Sequence, residues 1–105
     1  MEVKEIISTA LRKHAIVWKK HALQRLLERG IKRQEVLLTI EQGIIIKEYA
    51  EDKPFPSFLI YNDNPSYPLH VVFAINKEEP EIFIITIYRP DHNIFSEDFK
   101  TRRTK

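Results

Sequence analysis

The chain has 105 residues, no cysteine and a formal net charge of +2, with 43% hydrophobic and 30% charged residues. This is one domain by length, able to bury more than half of its unfolded surface, and it can hold no disulfide, thiolate zinc site or cysteine nucleophile. No apolar run approaches the roughly 20 residues of a membrane span, and Met1-Glu2-Val3-Lys4-Glu5 carries no signal-peptide pattern, so a cytoplasmic protein is expected.

Val3, Ile6, Ile7, Ala10 and Leu11 recur at helical spacing and predict a first amphipathic helix over residues 2–13. Ile16-Val17-Trp18 reads as a short apolar bridge. A second helix is expected over 20–29, with Leu23, Leu26 and Leu27 on its apolar face and Gly30 as a left-handed C-cap. A third, over 33–42, turns Val36, Leu37 and Ile40 inward and stops at Gly43.

Beyond Gly43 the apolar period drops to two. Residues 44–49 begin as a buried strand, Pro54-Phe55-Pro56-Ser57 breaks it, and 58–61 form a second strand closed by the turn residues Asn62-Asp63-Asn64-Pro65. The strongest strands are 69–75 and 81–88, joined by the hairpin loop Asn76-Lys77-Glu78-Glu79-Pro80. On the first, His70, Val72 and Ala74 oppose Val71, Phe73 and Ile75; on the second, Ile82, Ile84, Thr86 and Tyr88 oppose Phe83, Ile85, Ile87 and Arg89. Both are apolar on both faces, so both should be central and covered by helices on at least one side. The sheet should end at Arg89-Pro90-Asp91-His92. The expected fold class is α+β: N-terminal helices packed on an antiparallel sheet of about four strands, one domain over 1–99 and a basic tail over 100–105. Leu23, Leu26, Leu27, Val36, Ile40, Val72, Phe73, Ile84 and Ile85 are the expected core.

The small net charge conceals a segregation. Residues 11–33 carry eight Lys or Arg against the single acid Glu28, residues 34–99 carry four basic and twelve acidic side chains, and residues 100–105 add four positive charges. Such a distribution makes a local basic surface of the kind that attracts nucleic acid, unless the acidic strands lie close enough to neutralise it. Within the basic stretch, His21, Arg25 and Arg29 follow at i, i+4 and i+8, forming one polar ridge. An imidazole and two guanidiniums on one ridge suit an anion, phosphate above all; the alternative is a solvated charged face. Other chemistries lack their residues. Gly30 and Gly43 are the only glycines, so no Gly-rich phosphate loop exists. No HxH, HxxxH or ExxH spacing supports a metal, and neither Ser57 nor Ser96 stands in a nucleophile turn, so neither metal nor cofactor is expected.

HALQRLLERGI, a glycine-ended third helix, a strand leading to Tyr49, a Pro-Ser segment, Pro68-Leu69-His70-Val71-Val72 and Ile84-Ile85-Thr86 before a tyrosine together resemble a small prokaryotic domain family of unknown function, over about residues 18–90. That family in turn resembles the RelE and barnase-like toxin superfamily: metal-independent ribonucleases with helices packed on an antiparallel sheet. The resemblance implies a toxin-type endoribonuclease, acting on mRNA or ribosome-associated RNA and restrained by an antitoxin protein. Cleavage by a ribose 2′-hydroxyl needs a base, an acid and cations for the phosphoryl charge. His21 and His70 are then the acid–base candidates, Arg25 and Arg29 the phosphate clamps, and Tyr49, Tyr88 and Arg89 the substrate contacts. Against this, His70 lies among apolar strand residues, where a histidine more commonly serves structure, and His14 and His92 have no partners in view. The competing expectation is a non-catalytic RNA- or protein-binding module of the same fold. The two differ in whether His21, Arg25 and His70 converge on one open surface.

Overall fold

The computed structural model describes residues 2–62 and 68–89; Asp63-Asn64-Pro65 of the expected turn, Pro90, Asp91, His92 and the basic tail over 100–105 lie outside them. In chain order the elements are α1 (Val3–Arg12), β1 (Ile16–Trp18), α2 (Lys20–Arg29), α3 (Arg33–Gln42), β2 (Ile44–Tyr49), β3 (Ser57–Asn62), β4 (Leu69–Asn76) and β5 (Glu81–Tyr88). All three helices and the strands from β2 onward fall where periodicity placed them. No helix among the described residues is long and apolar enough to cross a membrane.

The strands form a single sheet in the order β1-β5-β4-β3-β2. Strands β2 to β5 are antiparallel neighbours, as expected. The segment Ile16-Val17-Trp18 corrects the sequence reading: it is a fifth strand, parallel to β5, with Ile16 opposite Ile82 and Trp18 opposite Ile84. Backbone bonds seal both its ends, from the Ile82 N–H to the Ala15 carbonyl (2.9 Å) and from the Lys19 N–H to the Ile84 carbonyl (3.0 Å). Three residues are too few to display a period, and the partner that makes them a strand lies far along the chain.

All three helices pack on one face of this sheet. Ile6, Ile7 and Ala10 of α1, Ala22 and Leu26 of α2, and Val36 and Ile40 of α3 share one buried cluster with Phe58, Ile60, Val71, Phe73, Ile75, Ile82, Ile84 and Ile87. Burying each large aliphatic side chain there is worth about 1.5–3 kcal/mol. The alternation expected along β4 holds, but that along β5 does not. Phe73 pairs with Ile84 while Val72 pairs with Thr86, so Ile85 is an extra, bulged residue. A bulge inverts the side-chain phase beyond it. Ile82, Ile84 and Ile87 therefore face the helices, whereas Thr86 and Tyr88 join Phe83 on the other face.

Four expected core residues also need correction. Val72 and Ile85 are half-buried, the first on the face away from the helices and the second at the bulge. Leu23 is half-buried, and Leu27 is 86% exposed. Helix α2 rests on the sheet through Ala22 and Leu26, and one residue farther round the helix already points to solvent.

Both glycines end helices, for different reasons. Gly30 has φ +63°, the left-handed turn that closes α2, and its successor Ile31 is buried. Gly43 has ordinary extended backbone; its constraint is space, since an added Cβ would sit 2.4 Å from the Thr39 carbonyl oxygen and 2.6 Å from that of Tyr61. His14 supplies the corresponding left-handed turn after α1 at φ 57°. Its position there is accounted for by backbone geometry.

Leu26→Ala and Ile84→Ala should each cost about 2–5 kcal/mol, cavity included, whereas Leu27→Ala should stay within about 0.5 kcal/mol. Gly43→Ala should destabilise more than Gly30→Ala, because backbone oxygens must move to admit its methyl group. Urea-denaturation midpoints of the four variants check this ordering.

Candidate functional site

The sheet separates two candidate surfaces. On the helix side, α2 begins with Lys20 and His21, both exposed, directly after the exposed Lys19. Its first turn contains no acid, and no side chain caps it. The orphan N–H groups of this turn therefore add their partial positive charge to the ammonium groups. Arg25, one turn on, has 42% of its side chain exposed and donates through Nη1 to Glu28 Oε1 at 2.9 Å. An i, i+3 pair in solvent is worth under about 1 kcal/mol, so Glu28 holds Arg25 only weakly. Arg29, Lys32 and Arg33 continue the positive surface to the start of α3, all exposed. The Arg33 guanidinium lies 5.5 Å from the centre of the Trp18 ring, which gives that end of the surface an aromatic base.

His70 belongs to the other face. Strand alternation puts it in one row across the sheet with Ile44, Tyr61 and Tyr88. It has no exposed surface. Its Nδ1 lies 3.3 Å from the Tyr88 hydroxyl, and the Tyr61 and Tyr88 rings meet it edge-on with centroids at 5.4 and 5.2 Å. Among the described residues no buried side-chain nitrogen or oxygen lacks a hydrogen-bond partner. The imidazole is thus a satisfied member of a packed aromatic row.

The predicted site residues accordingly fall into two groups. His21, Arg25 and Arg29 stand together on α2, and His70 and Tyr88 stand together on the far face of the sheet. The anticipated acid–base pair of His21 and His70 is not assembled, because the sheet lies between them. Arg89, half-buried, is engaged in structure: Nη1 donates to Glu35 Oε2 at 3.0 Å and to the Pro68 carbonyl at 3.2 Å, tying the end of β5 to α3. Tyr49 is half-buried on β2 with the Lys47 ammonium 5.3 Å from its ring centre. It belongs to neither group.

Sequence reasoning missed a third feature. At the opposite end of the far face, Tyr49, Ser57, Ala74 and Phe83 form another cross-strand row. Beside it is a cleft of about 280 Å³ bordered by Lys19, Asp52, Lys53, Phe55 and Phe83. The visible signal was a Pro-Phe-Pro-Ser strand break with a lysine and an aspartate before it, legible as a loop but not as a wall. Among the described residues no three His, Asp or Glu side chains gather to hold a metal ion.

A family described only as a domain of unknown function, DUF4258, matches residues 18–89 of the chain. No curated protein and no solved structure is detectably similar to it.

The two histidines should separate in stability measurements. His70→Ala should cost about 2–5 kcal/mol, from the cavity and from the tyrosine hydroxyl left behind; His21→Ala should change stability by no more than about 0.5 kcal/mol. Equal melting temperatures for the two variants would contradict the burial assigned to His70.

Proposed function

Since the chain belongs to the DUF4258 family, whose description assigns no activity, its own surface has to supply the reading, and we propose that it is an RNA-binding domain that holds phosphates along α2. The observation that carries this is the concentration of exposed positive charge on Lys20, Arg29, Lys32 and Arg33 beside the exposed His21 imidazole, with Glu28 the single acid in that stretch of sequence. Phosphate oxygens accept charge-assisted hydrogen bonds from such groups, and guanidiniums can bind them bidentately. Each contact releases a counterion, so affinity falls with salt.

Affinity for a single-stranded oligoribonucleotide should fall linearly on a log–log plot against salt concentration. Lys20→Ala and Arg29→Ala should each flatten the slope by roughly 0.7. Glu28→Gln should strengthen binding, because it frees Arg25 from its pair. Affinity that is flat with salt would refute the reading, as would a Glu28→Gln variant that binds no better than the parent.

A metal-independent endoribonuclease of toxin type is the second reading, and the observation favouring it is the exposure of His21 on the ridge that carries Arg25 and Arg29. In that reaction His21 takes the proton of the 2′-hydroxyl, whose oxygen attacks the adjacent phosphorus. The arginines stabilise the phosphoryl oxygens, and the 5′-oxygen leaves with a proton from solvent. His70 takes no part, since it is enclosed. The fold class agrees with the resemblance to RelE-like toxins, and an antitoxin would act by covering the ridge with acidic groups. Positioned proton transfer is worth roughly 10²–10⁴-fold. His21→Ala should therefore abolish most cleavage while leaving RNA affinity nearly intact, products should end in 2′,3′-cyclic phosphate, and EDTA should not inhibit. If total RNA stays intact and expression of the chain alone leaves growth unaffected, the domain binds without cutting.

A further inference from the structure

The cleft on the far face has the composition of a ligand site. Its floor is aromatic: the Phe55 and Phe83 rings stack with centroids 5.3 Å apart and planes 14° from parallel. Its rim is cationic: Lys19 and Lys53 both border it, and the Lys19 ammonium lies 5.4 Å from the Phe83 centroid. Its polar atoms are held in place. Ser57, 2% exposed, donates its hydroxyl to Asp52 Oδ2 at 2.5 Å, and the Asp52 N–H is bonded to the Tyr49 carbonyl at 3.2 Å. At about 280 Å³ the cleft is just below the roughly 300–1,000 Å³ usual for small-molecule sites, too small for a helix or strand of a partner.

We propose that this cleft takes one nucleotide of a single-stranded RNA, with its base on the Phe55–Phe83 pair and its phosphate between Lys19 and Lys53. The proposal rests on the RNA reading of α2 and adds the place where a base is held. Two features select this occupant. A flat ring carrying an anionic group matches an aromatic floor with two ammonium groups at its edge, and the Asp52 carboxylate offers an acceptor to the ring and amino N–H groups that bases present. Lys19 also joins the cleft to the start of the ridge in the chain. Trp18 faces the helices, so by alternation Lys19 turns to the far face, and the next residue opens α2. A strand following the ridge reaches the cleft around the β1 edge of the sheet.

The experiment is an NMR titration of the full chain with each nucleoside 5′-monophosphate, with inorganic phosphate and with uncharged nucleosides, followed by a single-stranded oligoribonucleotide. Nucleotides should shift the Ser57, Ala74 and Phe83 amide signals and the Phe55 ring signals, more tightly than either phosphate or nucleoside alone. Phe55→Leu, which keeps an apolar side chain in the cleft, should weaken nucleotide binding by about five- to hundredfold, the range of one lost base stack. Lys53→Ala should weaken nucleotides while leaving nucleosides unchanged. Equal affinity for inorganic phosphate would overturn the base contact. Unshifted cleft signals with all four nucleotides would overturn the site, and oligoribonucleotide shifts confined to α2 would then leave the RNA reading standing. Nucleotide binding in the cleft with no oligoribonucleotide binding on α2 would overturn the RNA reading and the strand placement, leaving a free mononucleotide as the occupant.

Discussion

Strand β5 is the constraint on which the other parts depend. It is bonded to β4 on one side and to β1 on the other, and α1 and α2 both pack against it. Ile82, Ile84 and Ile87 have no exposed surface, so their removal from water is a large hydrophobic gain on the strand that α1, α2, β1 and β4 share. The bulge at Ile85 is part of the same constraint. With strict alternation, Thr86 and Tyr88 would follow Ile82 and Ile84 into the helix interface, placing two hydroxyls in an apolar layer at the cost of unmet hydrogen bonds. One extra residue brings Ile87 inward and sends Tyr88 to the row that holds His70.

That arrangement also divides the chemistry of the molecule. A sheet with helices on one face presents two unlike surfaces: a helix layer whose outer side is free to be charged, and a strand face whose rows can hold aromatic and polar groups. Here the positive charge lies on the outer side of α2 and at the start of α3. The tyrosine–histidine row lies on the strand face, where His70 is enclosed by Tyr61 and Tyr88. A mechanism needing both histidines would have to work through the sheet. Any phosphate chemistry at α2 is therefore limited to groups of that ridge, with His21 its imidazole.

The edge strand β1 connects the two surfaces. Being only three residues long, it adds little hydrogen bonding, but it determines which way Trp18 and Lys19 point. Trp18 goes inward to the core and supports Arg33, and Lys19 goes outward over Phe83. Adjacent residues thus serve opposite faces of the sheet. This follows from the two-residue period of a strand and has no equivalent in a helix.

Much of the fold was legible in the sequence because the information was local. Ile6, Ile7 and Ala10, or Val36 and Ile40, repeat at the helical period whatever they pack against, and Gly30 marks a helix end because its left-handed backbone is a property of the residue itself. The hydrophobic alternation of β4 was equally plain, as was the charge imbalance of residues 11–33, and the boundaries from 18 to 89 coincide with a recognisable family. What the sequence could not contain was long-range pairing and the exact register of the hairpin it did show. Ile16-Val17-Trp18 becomes a strand only when β5 arrives, Ile85 becomes a bulge only against β4, and Leu27 is exposed only because α2 settles on Ala22 and Leu26. The same holds for the site: His21 and His70 are both histidines in suggestive motifs, and which face of the sheet each occupies is decided by long-range packing, whose energy depends on partners that no local window of residues can show.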